Sequence, residues 1–246
     1  MHIEDYTLEL DNDTVPWRLF SPNTDHTYCV LWLQGWTSSM DSHREGVMRL
    51  VEQTGIAFAT MDYAGHGQHT VPLEDSTRKQ QHDEVVAVYD ALAGLGYKKI
   101  IVIGGSFGGY MAALLVGKRP AHAAILRVPA IYDDAEFALP HSQTKRWQNI
   151  DSYQDKASAS YIEDNEAVRG IAHFEGFTYV LEHELDQVVP KIMPQTYFSH
   201  AKHGNYLIVP KTSHSPKQMS DPQKHYAYIE HLLASLVQAI VMQDDL

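Results

Sequence analysis

A single cysteine, Cys29, among 246 residues excludes an internal disulfide and with it the stapled scaffolds of small secreted domains. It lies in the apolar run Tyr28-Cys-Val-Leu-Trp-Leu33, where a buried structural thiol is expected rather than a reactive one. No apolar run approaches the ~20 residues that a membrane-spanning helix needs. Positive charge is also scarce. Nineteen Lys and Arg against 31 Asp and Glu give a formal charge of -12, which disfavours nucleic acids and anionic membranes as partners. The first ten residues, MHIEDYTLEL, have neither the basic start nor the apolar core of a signal peptide. These absences predict a soluble cytoplasmic protein. Internal repeats and low-complexity segments are lacking as well.

What is present is an ordinary apolar fraction, 44%, in a chain long enough for one large α/β domain over residues 1–246. Residues 3–10 and 15–20 read as a hairpin around an Asp-Asn-Asp turn. Strands are expected at 28–33, 56–61, 99–103, 123–127, 177–182 and 205–209. Helices are expected near 41–53, 77–94, 107–117, 191–201 and 222–241. This alternation predicts a mostly parallel central sheet with helices on both faces and an antiparallel edge. Fifteen histidines are many. His66/His69 and His200/His203 have i,i+3 spacing, yet neither pair has a neighbouring carboxylate or cysteine set to complete a site, so no metal and no cofactor is expected.

The most informative stretch is Gly104-Gly-Ser106-Phe-Gly108, a G-x-S-x-G match. A β-branched run, Lys99-Ile-Ile-Val-Ile103, precedes it, and a helix-forming run, Tyr110-Met-Ala-Ala-Leu-Leu-Val116, follows. A strand that turns sharply into a helix lifts the serine hydroxyl clear of the sheet, and small flanking residues make the turn feasible. Ser106 is therefore the expected nucleophile. The helix start also offers backbone N–H groups and positive potential to a developing oxyanion.

A serine needs a base, and the base an orienting acid, which in this topology follow the serine in the order Asp then His. Beyond strand 177–182 the chain reads His183-Glu-Leu-Asp186-Gln-Val-Val-Pro190, and Asp186 sits where the acid belongs, with Glu182 and Glu184 as competitors. Beyond strand 205–209 comes Pro210-Lys-Thr-Ser-His214, so His214 is the expected base. The oxyanion donors expected are the backbone N–H groups of Phe107 and of Trp36, the latter in Gln34-Gly35-Trp36 after strand 28–33.

Residues 131–175 break the alternation and are expected to form a small cap or lid. Among their large side chains, Phe137, Trp147 and Tyr153, together with Trp36, are expected to wall a substrate pocket.

On these motifs the chain resembles the α/β-hydrolase serine esterases and peptidases nearly end to end. GGSFGGYMA is similar to the elbow of prolyl-oligopeptidase-like and dienelactone-hydrolase-like members. Gln34-Gly35-Trp36 resembles a His-Gly-x oxyanion loop with glutamine for histidine, and Asp62-Tyr-Ala-Gly65-His66-Gly67 resembles a D-x-x-G-x-G loop. LDQVVP resembles the acid loop, with His183 standing where a glycine is usual. The resemblance implies an α/β-hydrolase fold and cleavage of a short-chain or aromatic carboxylic ester, a small molecule, through an acyl-enzyme. The same triad would serve an aminopeptidase, an acyl-peptide hydrolase or a thioesterase. For a peptidase, Asp133, Asp134 and Glu136 are the acids available to anchor an amine. A binding scaffold that keeps the fold is the non-enzymatic alternative.

Overall fold

The computed structural model describes residues 1–10, 13–22 and 25–244. Eight strands form one sheet: β1 (His2–Leu10), β2 (Asp13–Ser21), β3 (Tyr28–Leu33), β4 (Ala57–Met61), β5 (Lys99–Gly105), β6 (Ala123–Arg127), β7 (Phe177–His183) and β8 (Gly204–Val209). Their order is β1-β2-β4-β3-β5-β6-β7-β8. β1 pairs antiparallel with β2, and β2 antiparallel with β4, whereas every pair from β4 to β8 is parallel. The expected hairpin is thus the antiparallel edge of an otherwise parallel sheet.

Buried parallel strands need cover on both sides, and the helices supply it in two groups. Helices α1 (Arg44–Thr54) and α7 (Pro222–Gln243) bury Val47, Leu50, Val51, Leu233 and Val237 against one face of the sheet. Helices α2 (Arg78–Gly94), α3 (Phe107–Val116), α5 (Glu166–His173) and α6 (Ile192–His200) cover the other, around Val88, Tyr110, Ile171 and Tyr197. The short α4 (Tyr153–Ala157) lies outside both layers and buries no residue. Side chains cap the helix starts: Thr77 accepts from the Gln80 N–H, Asn165 from Ala167 and Asp221 from Lys224. α3 is buried along its whole length, which accounts for a composition of small and apolar residues with no charge.

The segment at about 131–175, expected to be a cap, falls into two parts. Its end is α5, whose Ala167, Val168 and Ile171 are core residues packed with α3, so 166–173 belongs to the covering layer. Asn165 and three apolar residues spread over one and a half turns were too short a pattern to separate this helix from the loops before it. What precedes it is two single turns of 3₁₀ helix, Asp134–Glu136 and His141–Gln143, then α4.

The strand order reverses beside β3. The chain passes from β3 outward to β4, then returns to place β5 on β3's other side. Ligand sites in open α/β sheets form at such a switch, beyond the carboxyl ends of the strands.

Candidate active site

Leu33 of β3 pairs with Gly104 of β5, so the loop after β3 and the turn after β5 leave the sheet side by side. Two glycines allow their contact. A Cβ on Gly108 would lie 2.0 Å from the Leu33 carbonyl oxygen, and one on Gly104 would lie 2.1 Å from that of Gly108. Between them Ser106 has φ 55° and ψ -115°, unfavourable for any residue with a side chain. The turn is locked from outside. The Ser106 N–H donates to Arg127 O at 2.9 Å, and its carbonyl accepts from the Ala130 N–H at 3.1 Å. Phe107 is the first residue of α3, so its N–H is among those without a partner inside the helix.

Strain gathers around this turn. Among the described residues five non-glycines have positive φ: Thr37, Ser106, Val128, Asn149 and Lys211. Thr37, Ser106, Val128 and Lys211 follow β3, β5, β6 and β8 at the carboxyl edge of the sheet, and Asn149 lines the cavity above it. Val128 is β-branched, for which this conformation is a true outlier, and it carries the chain from β6 back over the elbow.

Asp186 and His214 meet as expected. His214 Nδ1 lies 2.7 Å from Asp186 Oδ2. The other carboxylate oxygen, Oδ1, accepts from the N–H groups of Val188 and Val189 at 2.7 and 2.9 Å. Burial pushes the Asp186 carboxyl up, but the hydrogen bonds from His214 and the two N–H groups outweigh it and leave the acid below its ordinary range. An ionised Asp186 accepts only, so His214 Nδ1 donates and Nε2 is left free for a proton. The competing acids are engaged elsewhere. Glu184 accepts from the Lys211 N–H at 2.7 Å. Glu182 is buried between the Tyr206 hydroxyl and Lys191.

His183 holds this arrangement together. It is fully buried, and its Nδ1 donates to Ser213 O at 2.7 Å, tying the end of β7 to the loop that carries His214. Burial lowers its pKa to about 3. On the other side Gln34 anchors the loop after β3. Its side-chain NH2 donates to Met61 O and to Asp62 Oδ1, and its backbone carbonyl accepts from the buried Tyr63 hydroxyl. Asp62 also accepts from the Met40 and Gln68 N–H groups. A Cβ on Gly67 would strike that carboxylate at 2.0 Å. Gly35 rests against the elbow, with a Cβ built there 3.8 Å from that of Ser106. The adjoining Trp36 ring packs edge-on to Phe107 at 5.2 Å and to His141 at 4.4 Å.

Ser106 opens into a narrow cleft shared with Tyr132, Tyr161, Val188, Val189 and Met193. Arg146, Asp151 and Lys156 line this cleft and also a larger cavity of about 330 Å³, whose walls include Trp36, Trp147 and Asn149. Trp36 and Trp147, both expected to wall a pocket, line this cavity, and the other two expected residues do not. Phe137 points to the helix layer, its ring 6.1 Å from that of His82 on α2, and Tyr153 stands exposed on α4; neither lines either space. The aromatic count of 131–175 gave no sign of direction, because the segment has no period. The missed residues are the cations. The Arg146 guanidinium sits 5.1 Å over the Trp36 ring, and neither Arg146 nor Lys156 has an ion-pair partner among the described residues. Burial, then the charge of Arg146, lower the Lys156 pKa.

The acids considered as amine anchors are occupied. Asp133 caps the turn at 134–136, Asp134 accepts from the Glu166 N–H and Asn165, and Glu136 pairs with Arg78. His66 and His69, spaced as on a helix, lie in the loop after β4.

A family model described as "alpha/beta hydrolase fold" matches residues 28–222. Solved structures of similar fold include Est1E from Butyrivibrio proteoclasticus with ferulic acid bound, 16% identical, TM-score 0.71, covering 97% of this chain and 98% of that one. A putative hydrolase from Agrobacterium vitis S4 is 17% identical, with a TM-score of 0.67 over 94% of this chain and 99% of its own. A thermostable esterase from Pseudomonas putida ECU1011 is 13% identical, with a TM-score of 0.69 over 97% and 82%. A search of curated proteins finds no significant match. The chain belongs to the α/β-hydrolase-fold family.

Proposed function

We propose that this protein is a serine hydrolase that cleaves a carboxylic ester through an acyl-enzyme. The observation that carries the reading is the Asp186–His214 pair, 2.7 Å apart, in the loops beyond β7 and β8 while Ser106 stands on a strained turn beyond β5. Ser106 Oγ attacks the ester carbonyl as His214 Nε2 takes its proton. The Phe107 and Trp36 N–H groups receive the oxyanion. His214 then returns the proton to the leaving alcohol, and water repeats the sequence on the acyl group. The esterases among the structures of similar fold support an ester over an amide, as do the occupied acids at 133–136. Residues 1–246 then act as one domain, with the stretch from about 132 to 165 as its cap.

Arg146 and Lys156, without an ion-pair partner among the described residues and outnumbering Asp151 between serine and cavity, favour an acyl group that ends in a carboxylate, with Trp36 and Trp147 as its aromatic wall. The test is labelling by a fluorophosphonate together with turnover of p-nitrophenyl esters, with aminoacyl p-nitroanilides alongside. Ester turnover and labelling are expected in the wild type, and both are lost in Ser106→Ala. Anilide turnover exceeding that of every ester overturns the ester reading, and labelling that survives Ser106→Ala overturns the nucleophile.

A further inference from the structure

On the antiparallel side of the sheet, three groups converge that the proposed chemistry does not use. Asp13 begins β2, His69 lies in the loop after β4, and Glu84 faces inward from α2. His69 Nε2 is 3.4 Å from Asp13 Oδ2 and 3.5 Å from Glu84 Oε1, and the three ligand atoms lie within 4.8 Å of one another. The His69 imidazole is fully buried and Glu84 is 1% exposed. Two of the three facing atoms, His69 Nε2 and Glu84 Oε1, have no hydrogen-bond partner among the described residues.

Ordinary pairing does not account for this cluster. His69 Nδ1 accepts from the Val71 N–H at 3.1 Å, and a backbone N–H can only donate. With Nδ1 so engaged, Nε2 is the ring nitrogen turned toward the two carboxylates. With Nε2 as an N–H donor, both oxygens lie beyond the 2.7–3.2 Å range typical of a good N–H···O bond. The same separations suit ligands of one ion. Four ligands at ~2.05 Å around a tetrahedral centre stand ~3.3 Å apart. The remaining oxygens are already held, as second partners of metal ligands are. Glu84 Oε2 accepts from the Ala64 N–H at 2.7 Å and Asp13 Oδ1 from the Thr14 N–H at 2.8 Å, while Gln80 donates to the facing Asp13 Oδ2 itself.

We propose that Asp13, His69 and Glu84 bind one divalent transition-metal ion, zinc being the best match to one imidazole and two carboxylates. Water completes the shell on the side of Asp13, whose side chain is 13% exposed. The ion joins the edge hairpin, the loop after β4 and α2. That loop also places Tyr63 and His66, whose rings pack on Phe107. The site is structural and stiffens the ground behind Trp36.

Metal-free protein, dialysed against chelator, is titrated with zinc by calorimetry and with cobalt by visible absorption. One tight equivalent is expected beyond weak binding by surface histidines, with a rise in melting temperature. Tetrahedral cobalt bands are expected, bleached by zinc. Glu84→Gln and His69→Gln are each expected to weaken that equivalent by more than ~100-fold, a larger loss than outer-shell changes give. Should either variant fail to fold, Asp13→Asn at the exposed rim and the zinc-edge anomalous signal of a zinc-soaked wild-type crystal decide instead. Wild-type protein without a tight equivalent, variants that bind like wild type, or no anomalous peak between the three residues overturns the proposal.

Discussion

His183 donates from Nδ1 to the carbonyl oxygen of Ser213, 2.7 Å away, so the last residue of one strand clamps the loop that presents His214 from the next. The neighbouring Nε2 is buried without a partner, so the imidazole serves this one bond. Replacing His183 by alanine frees the loop and leaves the Ser213 carbonyl without its partner. Loss of one buried hydrogen bond and of the packing around it is expected to lower kcat about tenfold, with KM little changed. The pH dependence of kcat separates positioning from general damage: its inflection moves in the variant if His214 has lost its fixed contact with Asp186. An unchanged profile and rate would show that the clamp is dispensable.

The acid is expected to be Asp186 alone. Asp186→Asn presents the wrong imidazole tautomer and should cut kcat by at least ~10³-fold while the fold survives. Glu184→Gln removes the charge of a carboxylate that accepts the Lys211 N–H but leaves an amide oxygen in its place, and should change turnover little. If Glu184→Gln proves the more damaging to kcat, the assignment is wrong.

Arg146 and Lys156 are expected to set acyl preference. Arg146→Gln with Lys156→Met should lower kcat/KM for a succinyl p-nitrophenyl ester by tenfold or more, as loss of charge-assisted contacts of about 1.5–3 kcal/mol implies. The butyryl ester, lacking the carboxylate, should change little. Equal losses on both would assign the two cations to cap structure.

Acid lability follows from three buried histidines. Burial lowers His66 to about 4, and His141 and His183 to about 3. In the unfolded chain each titrates near ~6.5, so above ~7 both states are neutral and nothing is lost. Below ~6.5 the unfolded chain takes up protons that the folded one refuses, and stability falls until about pH 3–4. By pH 5 the loss should be about 1–2 kcal/mol for each histidine. Urea midpoints at pH 8, 6.5 and 5 measure it, and a midpoint constant across that range would contradict the assignment.

The parts legible in the sequence were those whose signal is local. The turn at Ser106 could be placed because strand, serine and helix are contiguous, and the positions of Asp186 and His214 because each follows a strand that its own composition marks. Residues 28–33 and 99–103 gave strands at their observed places for the same reason. Side-chain direction was not legible where no period exists. Phe137 and Trp147 look alike in a polar stretch, yet one faces α2 and the other the cavity. His183 was visible only as a departure from a glycine, and its purpose needed the spatial meeting of β7 with the loop after β8. Asp13, His69 and Glu84 are separated by 56 and 15 positions, too far apart for any spacing rule to join them.

The backbone of Ser106 bears on how this gene tolerates change. At φ 55° the turn suits glycine better than serine, so Ser106→Gly should abolish turnover and raise stability, by about 1 kcal/mol for the strain released. Gly104 and Gly108 are the reverse, since a methyl group at either meets a carbonyl oxygen near 2 Å. A saturation library sorted for cellular abundance would therefore keep both glycines and enrich variants that discard Ser106. The same library sorted for turnover would keep all three. The difference between the two sorts, position by position, would mark out the working parts of this protein without any knowledge of its natural substrate.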